Sequence, residues 1–82
     1  MKKIIITPQA KADVRRIDRE NAMHILAALD RLARTGEGDV LKLQGNSGEL
    51  RLRVGDYRLR FNEEPPGTIL VHAVLHRREA YR

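Results

Sequence analysis

At 82 residues the chain has room for one hydrophobic core and not for two, so a single domain spanning 1–82 is expected. It contains no cysteine, which excludes a disulfide framework and thiolate metal sites, and its formal net charge is +5. Lys2-Lys3 followed by Ile4-Ile5-Ile6 looks like the start of a leader, but the apolar run stops at Thr7-Pro8, too short for a signal or a bilayer span; a soluble, cytoplasmic chain with no membrane contact is expected.

Lys2 to Ile6 is a β-branched run that reads as a short buried strand. Thr7-Pro8 then opens a helix. Thr7 suits the N-cap and Pro8 the first helical position; Ala10, Val14 and Ile17 recur at helical spacing, with Lys11, Asp13, Arg15 and Arg16 facing water. A second helix restarts at Asp18, with Asp18 or Asn21 as its cap. Its apolar stripe is Ala22, Ile25, Leu29 and Leu32, it runs to Arg34, and Gly36 ends it. His24 on this helix is assigned no role. Beyond the loop from Thr35 to Asp39, Val40-Leu41-Lys42-Leu43 is a brief extended segment, and Gln44 to Gly48 is a flexible link.

The next stretch is a β-hairpin. Leu50, Leu52 and Val54 alternate with Arg51 and Arg53, and Tyr57, Leu59 and Phe61 alternate with Arg58 and Arg60, around a Gly55-Asp56 turn. That turn sets Arg53 opposite Arg58 and Arg51 opposite Arg60, all on the face away from the apolar side chains. Like charges directly opposite repel. Such a face reads as a preformed site for a polyanion, whose phosphates or carboxylates supply the missing negative charge. After a second turn at Glu63 to Gly67, Thr68 to Leu75 is apolar enough for a central strand covered on both sides. The expected fold is α+β: an N-terminal strand and a two-helix hairpin packed on one face of a mostly antiparallel three- to four-stranded sheet. The first strand pairs with Thr68 to Leu75, giving spatial order 1-4-3-2, and the far face presents the arginines.

Arginine is unevenly placed: Arg51, Arg53, Arg58, Arg60, Arg77, Arg78 and Arg82 crowd the last third, where no lysine stands. Twelve of the sixteen cations are arginine, the side chain suited to multidentate phosphate contact. Tyr57, Phe61 and Tyr81 are the only aromatics, too few for a base-stacking platform. His24, His72 and His76 have no zinc spacing, so neither metal nor cofactor is expected.

Three segments in order, LKLQG (Leu41 to Gly45), GDYRLRF (Gly55 to Phe61) and HRREAY (His76 to Tyr81), make the chain resemble the RelE/ParE superfamily of toxins from type II toxin–antitoxin modules over nearly its whole length. The resemblance implies the same fold and a growth-inhibiting function. RelE-like members are ribosome-dependent mRNA endonucleases, whereas ParE-like members inhibit DNA gyrase without a catalytic set. Matched residue by residue, Arg58 falls on the family's phosphate-binding arginine, Arg77 on the C-terminal arginine that assists the leaving group, and Tyr81 on the C-terminal tyrosine. Arg51 and Glu49 stand where RelE-like members carry lysines; arginine is a poor general base, and Glu49 reverses the charge. The family's C-terminal helix has no counterpart before Arg82.

The chemistry so implied asks for no metal: a 2′-hydroxyl attacks the phosphate, a base takes its proton, and cations hold the charge. His76, beside the basic face, is the expected proton carrier, since histidine titrates in the required range. Arg51, Arg58 and Arg77 would stabilise the phosphorane and Tyr81 would stack or pack, completing the catalytic set; Arg53, Arg60 and Arg78 would grip RNA backbone. His72, on the same strand face as His76, reads as structural. The expected partners are mRNA and the ribosome, or DNA gyrase in the alternative, and a cognate antitoxin whose acidic-amphipathic segment covers the arginines.

Overall fold

The computed structural model describes residues 1–43, 45 and 48–80. In chain order these form β1 (Lys3–Ile6), α1 (Pro8–Arg15), α2 (Arg19–Thr35), β2 (Val40–Lys42), β3 (Leu50–Val54), β4 (Tyr57–Asn62), β5 (Thr68–His76) and α3 (Arg77–Ala80). The strands make one sheet in the order β1-β5-β4-β3-β2, parallel between β1 and β5 and antiparallel elsewhere. The expected order of the four principal strands holds. A fifth strand is added because Val40–Lys42 pairs with β3, Arg53 N–H donating to Asp39 O at 2.9 Å and Leu43 N–H to Glu49 O at 3.0 Å. The N-terminal strand is an edge rather than a buried element: Ile4 and Ile6 pack on the core, but Ile5 points to the opposite face and is 38% exposed.

Both helices begin and end where the capping chemistry dictates. Thr7 Oγ1 accepts from Ala10 N–H at 3.2 Å, with Pro8 in the first turn of α1. Asp18 is the cap of α2, accepting from Asn21 N–H at 3.1 Å and from Asn21 Nδ2 at 2.8 Å. The bonds from the Asn21 side chain and backbone hold the Asp18 carboxyl below its usual range. Gly36 closes α2 in the left-handed region at φ 76°, its N–H on Leu32 O. Among the described residues, no helix is long and apolar enough to cross a membrane.

Burial sorts the two faces of the sheet. Leu52, Leu59, Phe61, Ile69, Val71 and Val74 point to one side and bury against Ala10, Ile25, Leu29, Leu32 and Ala33 of the helices. Each fully buried Leu, Ile, Val or Phe side chain contributes roughly 1.5–3 kcal/mol.

Two local features depart from simple periodicity. Asp13, expected to face water, is buried: its Oδ2 accepts from Val74 N–H at 3.0 Å, and its Oδ1 from Gln9 Nε2 and Arg16 Nη2, both at 2.9 Å. The cause is topological. β1 pairs with β5 only as far as Val71, and past that point α1 takes the place of a neighbouring strand, so an α1 carboxylate satisfies the β5 amide. The second feature is a bulge. β4 and β5 run in register from Tyr57↔His76 to Arg60↔Ala73, and the next pair is Phe61↔Val71, so His72 is the extra residue. Beyond β5, a single helical turn, α3, forms from Arg77 to Ala80 where none was expected.

Candidate nucleic-acid interface

Four arginines lie on the sheet face turned away from the helices. Arg53 stands opposite Arg58 and Arg51 opposite Arg60, the pairing expected from the Gly55-Asp56 turn. Neighbouring strands are about 4.8 Å apart, so the four side chains start within a patch roughly 10 Å across.

The same period of two brings acids onto this face. Arg60 Nη2 donates to Glu49 Oε2 at 2.7 Å, and the Glu49 side chain is only 18% exposed. Arg53 Nε lies 2.6 Å from Asp39 Oδ2, both side chains more than half exposed. Two carboxylates of the chain thus supply part of the negative charge that the sequence alone assigned to a ligand. The signal was available for Glu49, which continues the Arg51 and Arg53 alternation; Asp39 is reached only through the unexpected pairing of β2.

Arg58 is buried, 7% exposed, and its Nη1 donates to Gly55 O and Tyr57 O, both at 2.9 Å. Part of its donor set is therefore committed to holding the hairpin turn. Arg60 Nε is also buried and has no hydrogen-bond partner among the described residues, a desolvated donor on this face. At the β2 edge of the face, Asp39, Leu41, Arg51, Arg53 and Arg58 help to line a cleft of about 220 Å³.

The remaining sequence-predicted residues are elsewhere. His76 pairs with Tyr57, and strand alternation puts both on the helix side of the sheet. Its ring meets Tyr57 edge-on, centroids 5.4 Å apart at 86°, and its Nδ1 accepts from Arg78 N–H at 3.2 Å. It helps line a larger pocket of about 460 Å³ with Asp13, Arg16, Tyr57, Arg60 and Glu79. Arg77 and Arg78 are exposed on α3; Arg77 N–H donates to Asp56 O at 2.7 Å and its Nε is 3.9 Å from Asp56 Oδ1, so α3 is tied to the hairpin turn. Tyr81 lies outside the described residues. The structure thus gathers Arg51, Arg53, Arg58 and Arg60, and alternation sets His76 on the other side of the sheet, where Arg60 also lines its pocket. Among the described residues no group of three or more His, Asp or Glu is arranged to hold a metal ion.

The ion pair between Arg60 and Glu49 competes with any incoming anion. Glu49→Gln is expected to tighten binding of a single-stranded polyanion and to increase the magnitude of its salt dependence by about one in the slope of log K against log salt. Fluorescence titration at several salt concentrations checks this; an unchanged slope would show that Arg60 is not a contact.

Residues 4–81 match the family model described as the ParE toxin of type II toxin–antitoxin systems, parDE. The chain belongs to this family. It is accordingly a toxin of a toxin–antitoxin system, within the RelE/ParE superfamily that its motifs suggested. Its fold is similar to that of solved antitoxin–toxin complexes. These include the RelB–RelE complex of Methanococcus jannaschii (TM-score 0.79, 21% identity, 94% of each chain covered) and the RelE–RelB complex of Pyrococcus horikoshii OT3 (0.75, 23%, 93% of this chain and 94% of the other). The RelBE2 complex of Mycobacterium tuberculosis is similar at TM-score 0.64 and 21% identity, with 92% of this chain and 96% of that one covered. At these identities the likeness concerns the fold. No curated protein matches the chain.

Proposed function

We propose that this toxin arrests growth by cutting mRNA on the ribosome, in a metal-independent reaction in which the ribose 2′-hydroxyl attacks the adjacent phosphate. The observation that carries this reading is the pair of arginine rows, Arg53 with Arg58 and Arg51 with Arg60, on one open sheet face. Arg51 and Arg60 face a bound phosphate and stabilise the charge developing on it, Arg58 contributes while bracing the turn, and Arg53 holds flanking backbone. Arg77 and Arg78, on α3 beside the hairpin turn, would contact RNA backbone, and Tyr81 keeps the stacking role that the resemblance implies. The test is primer extension on translated and untranslated mRNA. Cuts that require ribosomes support the reading; growth arrest with intact mRNA overturns it.

A second reading, inhibition of DNA gyrase without catalysis, is favoured by the ParE description of the matching family. Altered plasmid supercoiling on expression, with mRNA intact, would support it.

Under either reading the arginine face needs a cover in the resting cell, and an acidic-amphipathic antitoxin segment fits it. Its carboxylates would replace Asp39 and Glu49 as partners, while its apolar residues meet the exposed Ile5 and Leu41 on the same face. Arg53→Glu places two acids side by side with Asp39, and calorimetry should show antitoxin affinity lowered by at least about tenfold, equivalent to about 1.4 kcal/mol.

A further inference from the structure

His72, set aside by simple alternation, is where the bulge matters. Because Phe61 pairs with Val71 and Arg60 with Ala73, His72 and Ala73 both point to the arginine face. Across the sheet from β3 to β5 the paired row on that face is then Arg51, Arg60, Ala73, and next to Ala73 stands the extra residue, His72. Its neighbour on β4 is Asn62, whose Oδ1 lies 2.5 Å from His72 Nε2. An amide oxygen accepts only, so Nε2 donates to it, and in the neutral ring Nδ1 is then the nitrogen with the lone pair. His76 is differently placed, on the other face with its Nδ1 engaged by Arg78 N–H. The backbone holds His72 in place as well: its carbonyl accepts from Thr7 Oγ1 at 3.3 Å, and Asp13 secures Val74 two residues on.

We propose that His72, not His76, is the proton-carrying catalytic residue of the arginine face, with Asn62 as the positioning residue that fixes its tautomer. This rests on the mRNA-cleavage reading. A phosphate gripped by Arg51 on β3 and Arg60 on β4 lies beside β5, the strand that carries His72, neighbouring strands being about 4.8 Å apart. Nδ1 takes the proton of the 2′-hydroxyl as its oxygen bonds to phosphorus, and the bond from phosphorus to the 5′-oxygen breaks. The products are a 2′,3′-cyclic phosphate and a 5′-hydroxyl, the latter taking its proton from water, and the imidazolium returns its proton to solvent. No oxidant, metal or further reactant is needed.

The experiment is single-turnover cleavage of mRNA on programmed ribosomes by wild type, His72→Gln and His76→Gln, with toxin–ribosome binding and thermal melting measured in parallel. Glutamine at 72 keeps a donor for Asn62 but carries no proton. His72→Gln is expected to lose at least about 100-fold in cleavage rate, the usual size of a general-base contribution, with binding within about twofold of wild type, and a larger loss than that of His76→Gln. Asn62→Ala is expected to lower kcat with KM little changed, which a merely structural role would not do. Wild-type cleavage with His72→Gln equally active overturns the assignment alone. Wild type that leaves mRNA intact on ribosomes overturns the cleavage reading and the assignment with it. Should His72→Gln fold poorly, His72→Asn replaces it under the same criteria.

Discussion

Arg51→Ala combined with Arg60→Ala is expected to abolish toxicity while the fold persists. Under the cleavage reading each arginine would face the bound phosphate from an adjacent strand, and removing one preorganised donor from a charge-stabilising site typically costs 10²–10³-fold in rate. The two together should lower ribosome-dependent cleavage by about 10³-fold or more and reduce the salt slope of polyanion binding by about two. Stability should change little, because the double change removes a cross-strand repulsion as well as the Arg60–Glu49 pair. The control is Arg15→Ala with Arg19→Ala, which removes the same charge from exposed helix positions. If both double variants lost activity equally, net charge rather than the arrangement of the face would be responsible. If the Arg51/Arg60 variant stayed fully toxic, the arginine rows would not be the working surface, under the cleavage reading or any reading that uses this face.

The parts of the molecule that were legible beforehand are those where one residue type has one physical job. Thr7 and Asp18 cap because their side-chain oxygens reach a free amide, Gly36 stops a helix because it alone takes φ 76° without penalty, and Gly55-Asp56 fixes a two-residue register. The hairpin therefore emerged with its cross-strand arginine pairs correct. What was not legible depends on neighbours distant in sequence. β5 is apolar on both faces, so nothing in TILVHAVLH marks where its alternation slips, and His72 and His76 were placed on one face when they lie on two. β2 gives weak periodicity over three residues, and only pairing with β3 shows it to be a strand. At Asp13, by contrast, the sequence itself carries a signal of burial. This residue follows Ala10 by three and precedes Ile17 by four, squarely in the apolar stripe of α1, and a charged residue there announces a buried partner.

That partner makes Asp13 the site of the largest single-residue stability effect expected from a polar side chain here. Asp13→Ala leaves the Val74 amide buried with no acceptor at the point where β1 pairing has ended, and it removes the anchor of Gln9 and Arg16 as well. An unsatisfied buried donor costs about 1–3 kcal/mol, a large fraction of the total for a domain of this size. The melting temperature should fall by roughly 4–8 °C for each kcal/mol lost. Asp13→Asn separates the two contributions. It can still present an oxygen to Val74 N–H but loses the ion pair with Arg16, whose side chain is 75% exposed, so that pair contributes little. Most of the stability should therefore survive in Asp13→Asn and be lost in Asp13→Ala. Thermal melts of both variants decide the matter, and hydrogen exchange at Val74 localises it: fast exchange in Asp13→Ala with protection retained in Asp13→Asn is expected. Equal melting temperatures for Asp13→Ala and wild type would mean that water reaches the Val74 amide, and α1 would then be only packed against β5 rather than bonded to it.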